Sequence, residues 1–246
     1  MYSKQAAYRR FLIFKDFYEA KRPVVVCEGK TDNTYLRHAL KSLGPAYPKL
    51  ASVSASNKVE LKIRILRTLG SCVGRVLDLG HGFSSLNGLI KEYVKELKRF
   101  KAPGMEHPVI LLADNDDGGD AVVKVIKGIT KSAFSNADPF VHVMGNLYLV
   151  LTPLPAGKTK SEIEDFFDDN VKNLKLGGKK FNPNDKADSD LYFSKSILAE
   201  YVRDNAGRID FSGFSPVFDR ITQVLEDYEV LLASQATTQG AAAGVP

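Results

Sequence analysis

The chain has 246 residues, 44% hydrophobic and 26% charged, with a formal net charge of +5 and 2 cysteines. This length gives a core for one or two domains, and the composition excludes a disordered or disulfide-stapled chain. No apolar run approaches the roughly 20 residues of a membrane helix, and "MYSKQAAYRRFLIFKDFYEAKR" lacks the uninterrupted core of a signal peptide, so a cytoplasmic, reducing home without membrane contact is expected.

Residues 1–22 are expected to form a linker helix carrying Tyr8, Phe11, Leu12, Phe14, Lys15 and Tyr18. A strand over 24–27 and a helix over 33–43 follow, the latter with Leu36, Ala39, Leu40 and Leu43 at helical spacing. "KVELKIRILRTLG" is ambiguous: Val59, Leu61, Ile63 and Ile65 alternate as in a strand, whereas Leu61, Ile65 and Leu69 suit a helix. Val76 to Leu79 is expected as a short strand running into Gly80-His81-Gly82. Ser84 or Ser85 then caps a helix with Leu86, Leu89, Ile90, Tyr93, Val94, Leu97 and Phe100 on one stripe.

"KAPGMEHP" is a loop, and "VILLA", 109–113, has the continuous apolar character of a strand buried on both faces. A helix over 119–132 and one or two strands within "PFVHVMGNLYLVLTPLP" complete the pattern. Strands alternating with helices predict an α/β core over 23–155, with a mostly parallel sheet flanked by helices. Over 156–234 a helical extension is expected, with "KTKSEIEDFFDDN" as an acidic helix start and "KLGGKKFNPNDKADSD" as a Gly- and Lys-rich loop. The tail 235–246 is small and polar, and is expected to be disordered.

Both long apolar runs end in acid. Glu28 follows one and Asp114 the other, and ligands of parallel sheets sit outside the carboxyl ends of the strands. If the two strands are neighbours, these carboxylates converge. Residues i and i+2 of an extended segment point the same way, so Asp114 and Asp116 face together and Asn115 faces away. An oxygen-only set without His or Cys suits Mg²⁺ or Mn²⁺, and such ions commonly serve phosphate chemistry. The plainer alternative is local: "NDDGG" turns the chain, Asp32 caps its helix, and Glu162 and Glu164 suit a helix dipole.

"VVVCEGKTD" followed by "VILLADNDDG" resembles the TOPRIM domain, the metal-binding fold of topoisomerases, primases and several nucleases. The resemblance covers about residues 22–155. The spacing Glu28-Gly-x-x-Asp32 is similar to that of the overcoming-lysogenization-defect nucleases. That likeness implies a Rossmann-like TOPRIM fold in which Glu28, Asp32, Asp114, Asp116 and Glu164 hold metal. It further implies that Glu28 is also the acid–base group and that Lys195 stabilises charge on the phosphate. "YRRFLIFKDFYEAKRPVVVCEGKTDN" resembles the junction ahead of the TOPRIM region in some retron reverse transcriptases. This implies a nuclease effector of antiphage defence, with RNA or DNA as substrate and a fused or associated reverse transcriptase and its RNA–DNA product as partners.

Neither the polymerase signature Tyr-x-Asp-Asp nor the P-loop Gly-x-x-x-x-Gly-Lys-Ser/Thr occurs in the chain, so ATP hydrolysis is not expected. Lys30 and His81 are candidate substrate contacts beside the acids. Lys179 and Lys180, with Lys158, Lys160, Lys172, Lys175 and Lys186, either track a phosphate backbone or form a solvated surface. The competing expectation is a catalytically idle TOPRIM module that binds nucleic acid or a protein.

Overall fold

A computed structural model describes residues 3–68, 70–131, 133–182 and 188–243, the stretch 238–243 by its backbone alone. The expectations resting on Leu69 and Lys186 lie outside the described residues, as do those on the last three positions. In chain order the elements begin with α1 (Ser3–Ile13), prolonged by a wider π-type turn at Phe14–Tyr18, then β1 (Val24–Cys27) and α2 (Asp32–Leu43). β2 (Ala51–Val53) and β3 (Val59–Leu61) pair as a hairpin ahead of β4 (Arg64–Ile65). Next are α3 (Cys72–Leu77), α4 (Phe83–Leu97), β5 (Val109–Ala113), α5 (Asp117–Thr130), β6 (Val141–Met144) and β7 (Leu147–Leu151). A 3₁₀ turn at Ile163–Phe166, α6 (Asp169–Lys172), β8 (Lys175–Leu176), β9 (Lys179–Phe181), β10 (Tyr192–Phe193), α7 (Lys195–Asn205) and α8 (Ser215–Ala243) complete the described chain.

The central sheet has five strands in the order β4-β1-β5-β7-β6. All its pairings are parallel except β6 with β7. Alternate residues of each strand feed opposite faces. Val25, Cys27, Ile110, Leu112 and Val150 join α2, α7 and α8 in one cluster. Val24, Val26, Leu111, Ala113 and Leu149 join α4, α5 and Leu12, Ile13 and Phe17 of the first helix in the other. Burial on both faces explains why β1 and β5 read as unbroken apolar runs. The helices beyond residue 155 therefore lie on the sheet itself, and one core holds both parts of the chain.

Some expectations are corrected. Val76–Leu79 is not a strand: Val76 and Leu77 close α3, whose N-terminus is capped by Ser71 Oγ accepting the Gly74 N–H at 2.9 Å. A Cβ on Gly74 would stand 1.8 Å from the Thr68 carbonyl oxygen, so this glycine lets the short helix pack tightly on the preceding turn. β4, from the ambiguous segment, takes the sheet position beside β1. The Lys-rich stretch is partly a hairpin rather than a loop: β8 and β9 pair around Gly177 and Gly178, both at positive φ, as two-residue hairpin turns demand. The acidic helix start expected in "KTKSEIEDFFDDN" is a 3₁₀ turn followed by a short α6. The expected tail is helical through Ala243, in keeping with the helix propensity of its alanines.

Candidate functional site

The register places the two acids side by side. β1 pairs with β5 from Val24↔Val109 to Cys27↔Leu112, so Glu28 and Asp114 leave adjacent strands at the same edge. The Glu28 N–H donates to the Leu112 carbonyl at 2.9 Å, and Glu28 Oε2 accepts the Asp114 N–H at 3.3 Å. Behind Glu28 the chain turns tightly: the Gly29 N–H donates to Asp32 Oδ2 at 2.7 Å. A Cβ at position 29 would stand 2.4 Å from Asp32 Oδ1, so only glycine lets Asp32 fold back at the start of α2.

The third contribution comes from the chain beyond β7. Thr152 Oγ1 and Ser161 Oγ are 2.7 Å apart, and Thr152 Oγ1 accepts the Asn115 N–H at 2.9 Å. Asn115 and Ser161 exchange backbone hydrogen bonds, each 2.9 Å. This clasp sets the 3₁₀ turn against β5, where the Ile163 N–H donates to Asp114 Oδ1 at 2.9 Å. Glu164 then points inward, buried. Lys195, the first residue of α7, donates to Glu162 Oε2 and Glu164 Oε2, both at 3.1 Å. Tyr35, wholly buried on α2, fixes the start of α7 by donating to the Lys195 carbonyl at 3.1 Å.

Glu28, Lys30, Asp32, His81, Asp114 and Lys195 thus line one cleft of about 540 Å³, with Gly80 and Gly82 on its far wall. Asp116 and Glu164 line an adjoining hollow of about 360 Å³, with Glu162 and Phe181. Asp116 belongs to the same charge field. A Cβ on Gly118 would lie 3.1 Å from Asp116 Oδ1 and 3.4 Å from Glu28 Oε1, so the two carboxylates flank that glycine. Asn115 turns away into the clasp.

Crowding and burial shift the protonation of these groups. Burial, with Asp116 adding repulsion, raises Glu28 to about 7. Burial also lifts Glu164 to about 7, against the pull of Lys195. Asp32 is raised by burial. Asp114 is raised well above its ordinary value by burial and by Asp32 and Glu164. Burial works to lower the Lys195 ammonium, yet Glu164 and Glu162 hold it above its ordinary value.

The donor chemistry suits a hard divalent cation: it is all oxygen, it carries excess negative charge, and Glu164 Oε1 is buried without a hydrogen-bond partner. The side chains do not stand as a ready ligand shell. Among the described residues no three His, Cys, Asp or Glu side chains converge closely enough to hold an ion. Asp32, Asp114 and Asp116 each accept a backbone N–H instead, the last as the cap of α5 through Gly119 at 2.9 Å.

Lys30 and His81 are exposed on the cleft, and His81 Nε2 lies 3.7 Å from Asp78. Lys179 and Lys180 sit on the β8–β9 hairpin and line neither hollow; Lys179 donates to the Ser189 carbonyl at 2.6 Å. Thr152, Ser161 and Tyr35 were not foreseen as positioning groups, because nothing in their local spacing marks contacts made across the fold. Glu162 was visible in Glu-Ile-Glu, but its pairing with Lys195 depends on α7. No family model matches the chain, and no solved structure matches it.

Proposed function

We propose that the chain is a Mg²⁺- or Mn²⁺-dependent phosphodiesterase of TOPRIM type that hydrolyses RNA or DNA. The observation that carries this reading is the meeting of Glu28 and Asp114 at adjacent strand ends, with Asp32 and Lys195 on the same cleft. Asp32, Asp114, Asp116 and Glu164, together with Glu28, are the residues that would hold one or two ions. A bound ion supplies Lewis-acid polarisation of a phosphoryl oxygen.

The chain's own groups do the rest. Glu28, near 7, is poised to take or return a proton at its carboxylate close to neutral pH. Lys195 keeps its proton and presents a fixed positive charge to a phosphate. Lys30, exposed at the mouth, meets the flanking backbone. The retron and antiphage setting rests on the junction-like residues 8–33 alone.

One observation favours the idle docking module: the carboxylates are already engaged with backbone N–H groups. The test is to incubate the purified chain with labelled single-stranded DNA, duplex DNA and structured RNA in Mg²⁺, Mn²⁺ or EDTA. Cleavage that requires metal and is lost in Glu28→Gln supports the enzyme. Binding without cleavage in every metal leaves the docking module.

A further inference from the structure

The sheet's outer strand on the α2 side, β4, is bordered by cations along its length. At its near end Arg22 donates to the Leu61 carbonyl at 3.2 Å, and Lys62 to the Pro48 carbonyl at 2.8 Å. At the strand's last residue Arg37, from α2, donates to the Ile65 carbonyl. Beyond the strand Arg67 is exposed, and the next residue, Thr68, is buried against the cleft wall: its Oγ1 lies 2.8 Å from where a Gly80 Cβ would be, with the Lys30 Cβ 3.8 Å from the same point.

β4 runs parallel to β1, so this series heads toward the strand ends that carry Glu28. Arg64 is neutralised by Asp16 at 2.6 Å, whereas among the described residues Arg22, Lys30, Arg37, Lys62 and Arg67 have no carboxylate within 4 Å. The arginines feel one another: burial lowers Arg37, and Arg67 and Arg22 lower it further. Uncompensated like charge held along one edge is destabilising without a polyanion to receive it.

We propose that this edge is the approach track along which a nucleic-acid phosphate backbone reaches the Glu28 cleft, a proposal that rests on the phosphodiesterase reading. From Leu61 to Arg67 the chain spans at most roughly 20 Å at about 3.3 Å per residue, the axial length of about six nucleotide steps. Guanidinium forks match carboxylate and phosphate oxygens alike. The series leads to the Glu28 cleft, where the phosphodiesterase reading needs a phosphate, and this selects a nucleic-acid backbone over an acidic protein. The backbone chemistry is common to RNA and DNA, and the contacts carry no base sequence.

Binding should be measured in EDTA, where cutting is suppressed, with labelled single-stranded DNA, RNA of the same sequence and the DNA duplex, between 50 and 200 mM salt. Arg37→Ala/Arg67→Ala should weaken binding about tenfold or more at low salt and flatten the salt slope by about one to two units, alike for all base sequences. Arg22→Ala/Arg67→Ala, confined to exposed side chains, should act in the same direction without lowering the melting temperature. Arg37→Lys/Arg67→Lys should restore most of the slope. The proposal is overturned if folded variants keep wild-type affinity and slope, if only Lys179→Ala/Lys180→Ala changes the slope, or if polyglutamate competes as well as DNA at equal charge. It is overturned too if wild type binds none of the three polymers. Wild type that cuts while the arginine variants bind normally loses the track and keeps the nuclease. Wild type that binds through these arginines yet never cuts in Mg²⁺ or Mn²⁺ loses the nuclease and keeps the track.

Discussion

Glu28 and Glu164 each have a folded-state value near 7, against the ordinary 4.5. A carboxyl that holds its proton more tightly when folded adds stability as pH falls, because the folded state then binds more protons than the unfolded. The metal-free protein should melt higher at pH 5.5 than at pH 8, and scanning calorimetry in EDTA reads this directly. Glu28→Gln removes the ionisation with little change of shape, so its melt should vary less over that range, at or above the wild-type value at pH 8. A wild-type melt that climbs from pH 5.5 to 8 in EDTA would contradict the crowded-carboxylate account. Lys195→Ala leaves Glu164 buried without its cation, which should cost about 1–3 kcal/mol, more at high pH. It should also slow cleavage about a hundredfold or more through lost charge stabilisation. Glu28 and Asp114 were legible because an acid directly after a buried strand is abrupt. Their raised protonation was not, since it arises from burial and from carboxylates up to 88 residues away in the chain.

Elements position the site through close backbone approach. A Cβ on Gly119 would stand 2.0 Å from the Asp114 carbonyl oxygen. Gly119→Ala must therefore push α5 away from β5, at a cost of about 1–3 kcal/mol typical of overpacking, visible as a lower urea midpoint with unchanged slope. Thr152→Val keeps the side-chain shape but removes the oxygen that accepts the Asn115 N–H and meets Ser161. The Asn115 N–H keeps the Ser161 carbonyl, so losing the hydroxyl's hydrogen bonds should cost about 0.5–1.5 kcal/mol, and cleavage should fall further than stability alone explains, because the clasp sets Glu164 and Lys195. An unchanged cleavage rate in a folded Thr152→Val protein would show that the clasp is only structural. At this scale β1, α2, β5 and α5 were legible within two residues, since buried runs and amphipathic stripes carry their own period. "GRVLDLG" was misread because a short apolar run suits helix and strand alike; the deciding contacts, Ser71 on Gly74 and Gly74 on Thr68, lie outside it.

For the whole molecule, folding brings acids from β1, α2, the end of β5 and the 3₁₀ turn into one place, and their repulsion opposes the fold that assembles them. The net charge of +5 does not relieve this locally, because Arg22, Arg37 and Arg67 lie along the β4 edge while, among the described residues, Lys30 and Lys195 are the cations lining the cleft. A divalent cation binding only the folded state should then stabilise the entire domain. At a hundred times its dissociation constant the gain is about 2.7 kcal/mol, a rise of roughly 5–10 °C for a chain of this size. Lowering the pH should weaken the effect, because protons and metal compete for the same oxygens. Asp114→Asn retains an acceptor for the Ile163 N–H while removing one charge, so the metal-free variant should melt at or above wild type and gain much less from Mg²⁺. Asp116→Ala is a poorer choice, since it also removes the α5 cap, worth about 1 kcal/mol. A wild-type melt indifferent to millimolar Mg²⁺ and Mn²⁺ from pH 6 to 8 would sink the metal reading and leave the acids as a repulsive cluster that the fold tolerates. A rise of equal size in wild type and Asp114→Asn would place the ion at some other site.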